Sequence, residues 1–71
     1  MKYIGDTAKL AQKGYDVDSS YEYFFKTIFN NKTNTKLSCY INLYDRKVSF
    51  VGDENNKIFF LNELKDELKE E

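Results

Sequence analysis

A chain of 71 residues is one small domain at most, spanning 1–71; at that length only ~60% of the unfolded surface is buried, which leaves little stability for strained catalytic geometry. The net charge is −1: six Lys against four acids give +2 over residues 1–36, and five bases against eight acids give −3 over residues 37–71. Neither half is a polybasic footprint or a polyanion mimic, the absence of His removes the commonest general base and metal ligand, and the lone Cys39 excludes an intramolecular disulfide.

The first element is "GDTAKLAQKGY", which predicts a two-turn helix capped by Asp6 or Thr7 and ended by Gly14 in the left-handed conformation. Tyr15 is placed to fold back onto Leu10 or Ala11. The next stretch, "SSYEYFFKTIF", fits two templates. Residue type favours a strand, whereas Tyr21, Phe24, Phe25, Ile28 and Phe29 fill every apolar position of a helix. Ser19 and Glu22 match a capping box, and Asp16 and Asp18 place negative charge where a helix dipole is positive, so the expectation is a second helix ending at Asn30-Asn31.

After the polar loop "NNKTNTK", "KLSCYINLY" alternates Leu37, Cys39, Ile41 and Leu43 against Ser38, Tyr40, Asn42 and Tyr44, the pattern of a half-buried strand. "KVSFV" and "KIFFL" continue as the second and third strands of an antiparallel meander, with turns at Asp45-Arg46 and "GDENN". The tail "LNELKDELKEE" sets Leu61, Leu64 and Leu68 on one stripe after an Asn62 cap, a short C-terminal helix. The expected fold class is therefore α+β: two N-terminal helices, a three-stranded antiparallel β-meander and a short C-terminal helix.

Catalytic chemistry finds no footing in this sequence. Cys39 has no His to activate it and falls on the inward face, which predicts an inert thiol. Three glycines supply no phosphate-binding loop, and no cofactor motif is present. Asp16, Asp18, Ser20 and Glu22 alternate like the start of a calcium loop, but Tyr21 stands where that loop needs Gly and Thr27 where it needs Glu, so no metal is expected. No apolar stretch suits a signal peptide or a spanning helix, and a lone inward thiol fits a reducing compartment, so the expected location is cytoplasmic, away from membranes.

Recognition surfaces remain. Tyr40 and Tyr44, with Phe59 and Val51 beside them, form an aromatic patch on the outer sheet face unless Leu64 and Leu68 of the C-terminal helix cover it. Tyr23 lies off the helix face and is available for contact. Glu63, Asp66 and Glu67 belong to an acidic end that would steer toward a basic surface, such as the channel of a nucleic-acid-handling enzyme. The expectation is a small non-enzymatic protein-binding module, an inhibitory or regulatory accessory protein that occludes a surface on a larger protein, with homodimerisation available to so small a core. The abundance of Lys, Asn, Tyr and Phe, whose codons are AT-rich, points toward phages and mobile elements of low-GC bacteria. The alternative is a DNA-binding regulator using residues 7–29 as a helix-turn-helix, with Lys9, Lys13 and Lys26 on phosphates.

Overall fold

The alternation of Leu37, Cys39 and Ile41 with Ser38, Tyr40 and Asn42 yields a central strand with one dry face and one outer face. Around it the computed structural model, which describes residues 1–70, arranges six strands and two helices. In chain order they are β1 (Lys2–Tyr3), α1 (Thr7–Gln12), β2 (Asp16–Val17), β3 (Tyr23–Asn30), β4 (Thr35–Asn42), β5 (Val48–Gly52), α2 (Lys57–Glu63) and β6 (Leu68–Lys69). Short 3₁₀ turns at Glu54–Asn56 and Lys65–Glu67 flank α2. Strands β2-β3-β4-β5 form a four-stranded antiparallel sheet, and β1 pairs with β6 in a second, two-stranded one. The bonds Tyr3 N–H to Arg46 O and Val48 N–H to Met1 O, with the Lys2–Lys47 bridge, tie the two sheets together.

Helix α1 forms as its sequence dictates. The Asp6 carboxylate accepts from the Ala8 amide at 2.9 Å, and Gly14 ends the segment at φ +90°. Tyr15 folds back, its amide on the Leu10 carbonyl, and both side chains enter the core.

The expected second helix is instead strand β3. The decisive residue is Asp18. Its Oδ1 accepts from the amides of Glu22 and Tyr23, its Oδ2 accepts from the Ser20 hydroxyl at 2.6 Å, and its own N–H donates to Tyr23 O. One carboxylate thereby closes a hairpin loop over residues 19–22, with Tyr21 at φ +58°, and launches a strand where a capping box would have launched a helix. Strand β3 then pairs residue for residue with β4, from Tyr23 opposite Asn42 to Asn30 opposite Thr35.

The third strand of the meander and the C-terminal helix are also corrected. Asp53 caps the 3₁₀ turn through Asn55 N–H, and "KIFFL" continues from it as helix α2. A helix wins there because Phe60 and Leu64, about one turn apart, both reach full burial while Ile58, which alternation would set on the face of Phe60, stays 61% exposed. Beyond α2 the tail makes only a 3₁₀ turn and the two residues of β6. The fold is thus α+β with one helical layer. Tyr3, Leu10, Tyr15, Leu37, Cys39, Ile41, Phe60 and Leu64 form its core on the inner side of the sheet. Among the described residues no helix is long and apolar enough to cross a membrane.

Candidate protein-binding surface

Tyr3 of β1, Leu10 of α1 and Phe60 of α2 all enter that one inner core, and among the described residues no core side chain lies over the outer face of the sheet. Leu64, expected to lie over it, is fully buried in the core, and Leu68 packs against the core's edge. The register gives the outer face its composition. Phe25 opposes Tyr40, Phe29 opposes Lys36, and Val51 opposes Ser38. The Phe25 and Tyr40 rings stack at 5.8 Å, and Tyr23 meets Tyr40 edge-on at 6.0 Å. A hydroxyl bridge of 2.6 Å joins Thr27 to Ser38 beside them, while Phe29 and Val51 stand 58% and 62% exposed. The ring contacts hold this aromatic trio in place beside two exposed apolar side chains, so a partner docking there would have little ring rotation to freeze.

The sequence-derived residues distribute unevenly over this picture. Tyr40 and Tyr23 come together on the outer face. Tyr44 does not join them: it sits 78% exposed in the β4–β5 turn, where the Tyr44 and Asp45 amides donate to Asn42 Oδ1. Phe59 belongs to α2, half exposed, its ring edge-on to Phe60 at 5.6 Å. Phe25 and Phe29 are the outer-face residues that sequence reasoning missed. Their signal was the period-two reading of Tyr23, Phe25 and Phe29, overridden by the helical one.

The charged candidates cancel one another. Glu63, at the end of α2, accepts from Tyr15 Oη at 3.1 Å through one oxygen and from Lys26 Nζ at 2.8 Å through the other. Lys26 lies on the inner face, donates also to the Lys13 carbonyl at 2.9 Å, and sits over the rings of Tyr15 and Phe59. Lys9 and Lys13 both approach Glu67 at 3.7 Å, and Lys13 also donates to Glu63 O. The three lysines assigned to DNA phosphates and two of the three acids assigned to a basic partner therefore hold α1, α2 and the sheet together. Asp66 alone of that acidic trio is exposed and makes no ion pair among the described residues. With β3 a strand, no helix-turn-helix spans residues 7–29.

Under this cluster lies Cys39, fully buried, its thiol pushed up to about 12 chiefly by desolvation, with Glu63 adding to the effect. Burial likewise raises Tyr15, helped by Cys39 and Glu63. Both groups stay neutral at ordinary pH, poor nucleophiles and sound packing. Among the described residues no three Cys, Asp or Glu side chains converge as metal ligands would.

A groove of about 710 Å³ opens where the β3–β4 hairpin meets the start of α2. Phe29 forms one wall and Ile58 and Phe59 the other. Its floor is fixed by a chain of amides: Asn30 Nδ2 donates to Asn56 Oδ1 at 3.0 Å, and Asn56 Nδ2 donates to Thr35 Oγ1 at 3.1 Å. Asn56 is the buried polar residue of the fold, and its side chain is satisfied by these bonds.

Compared with protein-family models, curated proteins and solved structures, the chain matches none of them.

Proposed function

We propose that this chain is a small non-enzymatic module that binds a larger protein through the outer face of its sheet, and that it acts by occluding the surface it covers. The observation that carries the reading is the Tyr23–Tyr40–Phe25 cluster, extended by Phe29 and Val51, on a face over which no core side chain lies among the described residues. Rings held by one another, with polar Ser38, Thr27 and Ser49 among them, resemble the aromatic centre and polar rim of protein interfaces. Among the described residues this face carries Lys36 and Lys47 against Asp16 and Asp18, a balance unlike the electropositive track that single-stranded nucleic acid follows. The buried lone thiol is at home in a reducing cytoplasm, and the AT-rich codon signature makes a phage or mobile element of a low-GC bacterium the first place to look for the target.

The test is affinity capture from a low-GC bacterial lysate, with and without nuclease, using the tagged protein and a Phe29→Ser/Val51→Ser variant. Both substituted side chains are more than half exposed, so the variant keeps its circular dichroism spectrum. The expected result is one stoichiometric, nuclease-resistant protein retained by the parent and lost by the variant. Equal retention by both, or capture that vanishes with nuclease, overturns the reading.

A further inference from the structure

Beyond the outer face, the groove between the β3–β4 hairpin and α2 has the attributes of a second site. We infer that it receives an extended segment of another protein bearing apolar side chains and one carboxylate. At about 710 Å³ it falls within the range of ~300–1,000 Å³ usual for ligand-binding clefts. Its walls are apolar and open, with Phe29 58% and Ile58 61% exposed. Its floor is already built, because Lys32 N–H donates to Asn30 Oδ1 and the Asn30–Asn56–Thr35 chain fixes both asparagine side chains.

Two features choose the occupant. The side-chain amides of Asn31 and Asn55 line the groove, are exposed, and make no hydrogen bond among the described residues. An amide offers both a donor and an acceptor, the complement of an extended peptide backbone. Lys32 is the single charged lining residue and has no ion-pair partner among the described residues, in contrast to Lys9, Lys13 and Lys26. An unpaired ammonium beside apolar walls favours a carboxylate on the incoming segment.

The experiment is selection from a displayed library of random dodecapeptides on the immobilised protein. One enriched peptide is then synthesised with its acidic residue intact and as the amide. Enriched sequences are expected to share aliphatic or aromatic residues with one Asp or Glu. Ile58→Ser should weaken the acidic peptide at least tenfold. Lys32→Ala should weaken it severalfold and abolish its advantage over the amide form. Phe59 is left unaltered, because its contacts with Phe60 and Lys26 make it structural as well. Absence of enrichment, or a selected peptide indifferent to Ile58→Ser or to Lys32→Ala, overturns the inference. So does sedimentation with phosphatidylserine vesicles that Ile58→Ser abolishes, which would give the groove to a lipid surface.

Discussion

Replacing Lys26 with Met tests whether the half-buried cluster at Glu63 holds the fold together. Lys26 and Glu63 side chains are 21% and 19% exposed, so the pair is neither a screened surface bridge nor a fully dry one. The substitution keeps the aliphatic stem but removes a charge-assisted bond to Glu63, a bond to the Lys13 carbonyl and the cation's position over two rings. A bond to a charged group contributes roughly 1.5–3 kcal/mol, a neutral-acceptor bond about 1 and an exposed cation–π contact about 0.5. Water reaching the exposed fifth of each side chain returns part of this, leaving an expected loss of about 2–3 kcal/mol. For a domain whose whole stability is of the order of 3–5 kcal/mol, that is roughly two fifths or more. Urea unfolding followed by far-UV circular dichroism measures it. The double variant Lys26→Met/Glu63→Gln, which removes both charges and keeps an acceptor for Tyr15 Oη, should recover at least about 1 kcal/mol relative to the single change. A single-variant loss below about 0.5 kcal/mol, within the range of ordinary surface pairs, would refute the reasoning.

Tyr21 holds φ +58° with its ring 71% exposed, a conformation that costs a bulky residue about 1 kcal/mol and Asn much less. Tyr21→Asn should therefore raise the thermal midpoint by several degrees, and a lowered midpoint would show that the ring contributes to the loop. Cys39, buried and with its thiol pushed up to about 12, should react with iodoacetamide at pH 8 about 100-fold more slowly than in the urea-unfolded chain; mass spectrometry showing comparable rates would contradict the burial. Asp18 is held below its ordinary value of 3.8, mainly by the Ser20 hydroxyl and then by the Tyr23 and Glu22 amides. A lowered folded pKa stabilises the fold above the unfolded value and ceases to do so as pH falls through the folded one. The parent should therefore lose stability below pH 3.8 more steeply than Asp18→Asn, and parallel acid titrations would exclude this role.

The readable parts of the sequence were those where one local signal stood alone. Helix α1 had an Asp cap and a terminal Gly, β4 had clean alternation, and each formed as expected. The errors came where two signals coincided. Tyr21, Phe25 and Phe29 fit helix and strand periodicity alike, and the arbiter is Asp18, whose place suits a helix dipole but whose carboxylate closes a hairpin. In "KIFFL" the consecutive apolar residues left the period open, and only the packing, which buries Phe60 with Leu64 beyond the run against Leu37, Cys39 and Ile41 and leaves Ile58 exposed, selects a helix. The outer face was half legible for the same reason: Tyr40 lay on the unambiguous strand, whereas Phe25 and Phe29 lay on the ambiguous one. Ion pairing between Lys26 and Glu63, 37 residues apart, has no local signature at all.

The pairing of Lys2 with Lys69 and Tyr3 with Leu68 brings both ends of the described chain to one corner. That corner adjoins the β4–β5 turn through Arg46 and Val48, whereas the groove lies at the other end of β4, roughly 24 Å away at the usual rise of a strand. Anything joined to either end, whether a fusion, a surface tether or the flanks of a host loop, leaves the domain side by side and far from the hairpin tip. The unit is thus shaped as a plug-in cassette: it can be spliced into another protein's loop with its ends already adjacent and its groove presented outward.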